Sequence, residues 1–151
     1  MMKLIQKNKR ASYDYIFIDE YTAGIKLLGS EVKSIREGNV NIKNAHCLFE
    51  DGELFITGMH ISEYKESGTH QNHDPMRKKK LLLKKKELKK LKKGVEVKGN
   101  TIVPKALLLS KTGFFKLEIA LSKGKKLHDK KHNLKEKAIE LTEKRESKTN
   151  F

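Results

Sequence analysis

Alternating hydrophobic and polar residues predict that β-strands make up most of this chain. The run from Ser12 to Leu28 mixes aromatic and β-branched residues in partial alternation, which predicts one long strand with a bend or bulge at Gly24. Farther along, Asp51-Gly52 separates two apolar runs, and this dipeptide is a strong signal for a β-hairpin.

A second hairpin is predicted near the end of the patterned region. Residues 114–122 place an apolar side chain at every second position from Phe115 to Leu121, as expected of a strand that buries one face. The turn Lys111-Thr112-Gly113 joins this strand to the apolar segment 101–110. Pro104 in that segment indicates an edge or bulged position, because proline cannot donate a ladder hydrogen bond.

A short helix is predicted between the first strand and the first hairpin. In residues 29–39, Ser30 is the expected N-cap, and Gly38 is expected to end the helix in the left-handed conformation. The polar segment 62–80 has little periodicity and is predicted to be a long loop, of a length that often has a function.

A second helix, rich in lysine, is predicted for residues 81–94. Leu81, Leu88 and Leu91 would form its apolar stripe, and Gly94 is the expected stop. Many short strands with few crossover helices favour antiparallel pairing. We therefore predict a mainly β fold over residues 1–122, a small antiparallel β-barrel of OB-fold type with two or three short flanking helices.

Charge is segregated along the chain, whose formal net charge is +15. Residues 77–93 contain 11 lysines and arginines and one glutamate, and residues 123–151 contain 10 against five acidic residues. The rest of the chain is close to neutral. Clusters of this kind gain affinity for a polyanion by releasing its counterions, so nucleic acid is the expected partner.

Little in the sequence indicates catalysis. Cys47 is interpreted as a small buried residue, and the histidines His70 and His73 as surface or RNA-contacting residues. No catalytic motif, metal site or cofactor site is predicted. The longest apolar run is too short to span a membrane, and a cytoplasmic protein that does not act at membranes is expected.

Four distinctive segments follow one another along the chain: NKRASYDY, AGIKLLGSEVKSIREGNVNIKNA, NHDPMRKKKLLLKKKEL and ALSKGKKLHDKK. Together they resemble the SmpB (small protein B) family, whose members bind bacterial transfer-messenger RNA, and the resemblance runs from about Asn8 to Lys131. It implies an OB-fold without enzymatic activity that binds the tRNA-like domain and mimics the missing anticodon arm. It also implies delivery of this RNA to stalled ribosomes, with elongation factor Tu and alanyl-tRNA synthetase involved indirectly through the RNA.

The resemblance also implies which residues contact the transfer-messenger RNA. Basic side chains would contact phosphates, while Asp74-Pro75 would fix the loop that presents them. Lys84 stands where the family usually has asparagine or histidine, and Thr22 where it has an acidic residue. The expected RNA-binding residues are Lys9, Arg10, Lys33, Arg36, Asn41, Asp74, Pro75, Arg77, Lys79, Lys80, Leu82 and Lys84.

Residues 123–151 form a basic C-terminal tail with a thin stripe of leucines. An isolated helix of this length is marginal in water, so we expect disorder in the free protein and a helix on the ribosome. The resemblance implies that the tail enters the empty messenger channel and contacts the small-subunit decoding centre. The expected contacts are Gly124, Lys125, Lys126, His128, Asp129, Lys130 and Lys131. A constitutive ribosomal protein and a general structured-RNA-binding OB module remain the alternative functions.

Overall fold

A computed structural model describes residues 2–64 and 72–125. Its helices are α1 (Lys9–Asp14), α2 (Gly29–Arg36) and α3 (Lys85–Glu96). The strands in these two ranges are β1 (Lys3–Lys7), β2 (Tyr15–Ile25), β3 (Val40–Asn41), β4 (His46–Glu50), β5 (Glu53–Thr57), β6 (His60–Ile61), β7 (Lys79–Leu82), β8 (Asn100–Leu109) and β9 (Phe115–Gly124). No helix of the described residues is both long enough and apolar enough to cross a membrane.

The main sheet closes on itself as a ring of antiparallel strands. Its order is β1-β8-β4-β5-β7-β2-β9, and β9 pairs again with β8. Apolar side chains fill the ring, among them Ile56, Leu107 and Leu117, and Leu91 of α3 joins them in the same core. The mainly β architecture with short flanking helices is therefore confirmed.

Both predicted hairpins are present. Asp51 and Gly52 adopt positive φ angles of 51° and 79° between β4 and β5, as a tight hairpin turn requires. Strands β8 and β9 pair along most of their length, and their register shifts between Pro104 and Ala106. The proline is therefore at a bulge, where its missing N–H interrupts no regular ladder.

The long strand predicted for residues 12–28 is shorter in the structure, where it is β2, and its bulge is not at Gly24. Residues 12–14 belong to α1, because the buried side chain of Asn8 caps that helix by accepting a hydrogen bond from Ala11 N at 3.3 Å. The register of β2 against β9 shifts between Phe17 and Asp19, not at Gly24. Gly24 instead permits close packing, since an added Cβ would lie 3.2 Å from Leu82 Cβ.

The boundaries of the other helices also differ from the predictions. Leu28, not Ser30, is the N-cap of α2, although Gly38 takes the expected positive φ of 82° after the helix ends. Helix α3 begins at Lys85, because Leu81 and its neighbours pair as β7 with β2 and β5. Gly94 does not end α3, which continues to Glu96.

Candidate nucleic-acid interface

Helix α1 presents Lys9 and Arg10 to solvent from a fixed position. The side-chain amide of Asn8 donates hydrogen bonds to Pro104 O at 2.9 Å and to Ile42 O at 3.4 Å, and its oxygen caps α1. One buried side chain therefore ties the helix to β8 and to the segment after β3.

Two adjoining clefts lie beside α1, with volumes of about 480 and 310 Å³. Arg10 and Lys43 line both of them, Lys9 and Asn41 line the smaller, and His46 lines the larger. We call Lys9, Arg10, Asn41 and Lys43 together the α1 surface. The structure thus brings together three of the predicted RNA-binding residues.

Lys43 is a member of this surface that the sequence reasoning missed. It is exposed, and its backbone N–H donates to Asn41 Oδ1 at 2.9 Å, so the two residues share one tight turn. A lysine two residues after a predicted RNA-contacting asparagine was the available signal. Arg10 is also restrained, since its Nε lies 3.3 Å from Asp14 one helical turn away.

Helix α2 exposes Lys33 and Arg36, as predicted, and hides a carboxylate on its opposite face. The ammonium group of Lys33 lies 5.5 Å from the centre of the Tyr64 ring, within the range of a cation–π contact. Glu31 is fully buried, and Arg77 donates to it through Nε at 3.2 Å and Nη2 at 2.6 Å. The exposed basic side chains of α2 therefore lie opposite an ion pair whose carboxylate is buried.

Lys79 was expected to contact RNA, and the structure corrects this prediction. Its side chain is fully buried, with Nζ donating to Met59 O at 3.1 Å and to Arg77 O at 2.6 Å and lying 3.8 Å from Glu31. Burial lowers the pKa of Lys79, an effect that the Glu31 charge opposes and the Arg77 charge reinforces. Lys79 cannot reach a phosphate without leaving this site.

His73 is also not a surface residue. It is buried between α2 and β6, with Nδ1 2.8 Å from Ser30 Oγ and Nε2 2.8 Å from Ile61 O. A carbonyl oxygen only accepts, so Nε2 of His73 donates to Ile61 O. His70 lies outside the described residues, among which no cluster of three or more metal-ligating side chains occurs.

The turn that precedes β7 is fixed by Asp74 and Pro75. Asp74 accepts hydrogen bonds from Met76 N at 2.9 Å through its side chain and from Arg77 N at 3.0 Å through its carbonyl. Pro75 O accepts from Ile61 N at 2.9 Å, which attaches the turn to β6. This arrangement agrees with the predicted role of these two residues in shaping the loop.

The remaining body residues of the predicted site follow along β7 into α3. Lys80 forms an ion pair with Glu53 at 2.8 Å, so its charge is already partly compensated. Leu82 is half exposed, and Lys84 is the exposed N-cap residue of α3, whose N–H donates to Glu87 at 3.1 Å.

The predicted tail begins inside the sheet. Lys123 and Gly124 belong to β9 and pair with Ile16 and Tyr15, and Lys125 N donates to Asp14 O at 2.9 Å. The start of the tail is thereby placed beside α1. The other predicted decoding-site residues lie outside the described residues: Lys126, His128, Asp129, Lys130 and Lys131.

Comparisons with known proteins give a consistent result. A family model described as SmpB protein matches residues 5–149. The SsrA-binding protein of Phocaeicola vulgatus is 53% identical over 131 residues, which are 87% of each chain. The SsrA-binding protein of Christiangramia forsetii is 49% identical over 131 residues, 87% of this chain and 83% of that relative.

A solved structure is similar as well. It is described as "tmRNA-SmpB: a journey to the center of the bacterial ribosome", and one of its chains matches with a TM-score of 0.68 and 42% identity. The match covers 85% of this chain and 93% of the other. Sequence and fold therefore agree on one family.

Proposed function

The chain belongs to the SmpB protein family, and on that premise we propose that it binds the tRNA-like domain of transfer-messenger RNA and brings this RNA to stalled ribosomes. The match over nearly the whole chain to this family is the observation that carries the proposal. Incomplete peptides would then be tagged by trans-translation, and the chain would act by binding, without catalysis.

Two features of the described residues support RNA binding by the body. The α1 surface groups three cationic side chains with an asparagine around two open clefts. Helix α2 adds Lys33 and Arg36, both exposed. Backbone phosphates are the groups that such lysines and arginines bind, and a fixed scaffold beneath them sets the orientation of the RNA.

The tail and the indirect partners complete the proposal. Residues 124–131 would contact the small-subunit decoding centre, and the chain beyond them would follow the messenger channel. Elongation factor Tu and alanyl-tRNA synthetase would act on the same RNA molecule without contacting this protein. A protein that functions on ribosomes in this way would be found in the cytoplasm.

A salt titration tests the RNA-binding part. The affinity for the isolated tRNA-like domain should fall steeply with salt, with a log–log slope of roughly 0.7 to 0.9 per phosphate contact. The double variant Lys9→Gln with Lys43→Gln should reduce this slope. The control Lys3→Gln with Lys111→Gln removes the same charge from exposed lysines outside the α1 surface and should leave it unchanged. Equal affinity for the tRNA-like domain and for an unrelated duplex would contradict the proposal.

A tagging assay tests the ribosomal part. The double variant Lys125→Ala with Lys126→Ala should bind the tRNA-like domain nearly as well as the natural chain but should not support tagging on stalled ribosomes. The reverse result, lost RNA affinity with tagging restored at high protein concentration, would show that these lysines serve the body instead of the tail.

A further inference from the structure

Helix α3 carries a face of lysines that the proposed site does not use. With 100° between successive residues, Leu88, Leu91 and Val95 point to the body, and the opposite side is almost wholly basic. Lys86, Lys89, Lys90 and Lys93 lie on this opposite side, and Lys85 and Lys92 flank the apolar stripe. All six lysines are exposed. We call these six residues the α3 face.

Within residues 2–64 and 72–125, these lysines differ from Lys78, Lys80 and Lys105 in forming no ion pair. Lys78 pairs with Glu50, Lys80 with Glu53, and Lys105 with Glu20 and Glu118. In the described part of the chain, none of the six lysines of the α3 face lies within 4.0 Å of a carboxylate oxygen. Their charges are therefore available to an external anion.

The helix is held so that this face must point outward. Leu91 is fully buried in the core, and the backbone at Gly94 approaches so closely that an added Cβ would collide with the side chain of Leu121. Asn100 Nδ2 donates to Gly94 O at 3.0 Å, which fixes the last turn. Rotation of α3 to hide its lysines would break these contacts.

We propose that the α3 face binds the phosphate backbone of double-helical RNA as a second contact surface, separate from the α1 surface. None of the residues that line the two clefts beside α1 belongs to α3. Lysines four residues apart are about 6 Å apart along the helix, so two rows of charge can follow a phosphate backbone.

The composition of α3 favours a duplex over unpaired bases. The helix, KKELKKLKKGVE, has no aromatic side chain on which a base could stack, and lysine offers point charges without a planar fork. Duplex RNA is read mainly through its backbone and shape, which needs neither. The inference rests on the proposed function only in assuming that RNA is the polyanion.

The test compares two double variants of the full chain on a mixed-sequence RNA duplex of about 20 base pairs. Lys86→Gln with Lys93→Gln removes two charges from the α3 face. Lys78→Gln with Lys105→Gln removes two charges that are already paired with glutamates. Glutamine keeps a good helix propensity, so the α3 variant should keep its helix. The circular dichroism spectrum checks that both variants fold.

The α3 variant should make the log–log salt slope less steep by about 1.4 to 1.8, while the control should change it by less than half as much. Repeating the titration with the tRNA-like domain and with isolated small ribosomal subunits then tells which RNA the face contacts. A reduced slope with either one supports the proposal.

Two results would overturn it. Equal changes for both variants would mean that only net charge matters. Lost binding to vesicles of anionic phospholipid, with unchanged RNA titrations, would assign the face to a membrane surface. If the natural chain shows no preference for the tRNA-like domain, the proposed function fails, but the duplex slopes still decide the role of α3.

Discussion

Arg77 donates two hydrogen bonds to Glu31, from Nε at 3.2 Å and from Nη2 at 2.6 Å. The Glu31 carboxylate that accepts them is fully buried. The two residues are 46 positions apart in sequence. Glu31 Oε1 also accepts from Leu28 N at 2.8 Å, so the same carboxylate caps α2. The pair therefore joins the N-terminal turn of α2 to the turn that precedes β7.

Replacing Arg77 with glutamine should destabilise the fold. Glu31 would remain buried, and in the described part of the chain Lys79, at 3.8 Å, would be the one cation left beside its carboxylate. Removing one partner of a fully buried pair costs roughly 3–5 kcal/mol, and we expect about 2–3 kcal/mol here, since Arg77 is partly exposed. Urea denaturation measures the change in the free energy of unfolding.

Arg10→Gln is the matched control for that experiment. Arg10 pairs with Asp14 on the surface of α1, and such exposed pairs contribute about 0.3–0.5 kcal/mol. Equal losses in the two variants would mean that Glu31 does not depend on Arg77 in solution.

Lys79→Met should leave RNA affinity within about twofold and the salt slope unchanged, because a fully buried lysine releases no counterion from a phosphate. Lys9→Met, made on the exposed α1 surface, should reduce the slope by about 0.7–0.9. Fluorescence titration of the tRNA-like domain compares them. A similar slope reduction for Lys79→Met would require Lys79 to leave its buried position when RNA binds.

Gly58→Ala should destabilise the protein more than Gly52→Ala does. Both glycines have a φ of +79°, so an alanine is strained at either site. Only at Gly58 would the new Cβ lie 2.8 Å from Asn44 O, a backbone atom that cannot easily move. Thermal denaturation should show the larger fall in Tm for Gly58→Ala, and a reduced RNA affinity as well, because Asn44 borders the larger cleft of the α1 surface.

Stability should fall at alkaline pH because of Cys47. Burial raises the pKa of this thiol, so the folded state keeps a proton that the unfolded chain loses. The contribution is complete below the unfolded pKa of about 8.5 and declines above it, by at most about 1.4 kcal/mol per pH unit. Cys47→Val removes this term. The unfolding free energy of the natural chain minus that of Cys47→Val should therefore fall between pH 8 and 10. A constant difference would show that the thiol ionises equally in both states.

Local patterns predicted those elements whose structure is set locally. The Asp51-Gly52 turn and the strict alternation in β9 needed only adjacent residues to be recognised. The helical spacing of Leu81 from Leu88 and Leu91 predicts a helix, and a short apolar run such as 81–83 does not by itself distinguish a strand from a helix. Leu81 lies in a strand because it pairs with Ile25 on β2, which local sequence does not reveal.

The candidate site was likewise predicted only in part from the sequence. Lys9, Arg10 and Asn41, which the resemblance implies as RNA contacts, line one cleft. Their grouping depends on Asn8, whose long-range hydrogen bonds leave no local pattern. Lys79 looked like any other lysine of a basic run. Its burial depends on Glu31, 48 residues earlier in the chain, and a single sequence does not show that the two side chains meet.

The ring of strands also has a consequence for how the protein is made. Among the described strands, β9 is the last to leave the ribosome, and it closes the ring by pairing with both β2 and β8. Its pairing with β2 (Tyr15–Ile25) joins strands that are far apart in the chain, and pairings so distant in sequence form slowly. A nascent copy whose synthesis stops before Phe115 would therefore have an open sheet and an exposed core. A message for this chain that is truncated before the codon of Phe115 would therefore yield a product that cannot close its sheet.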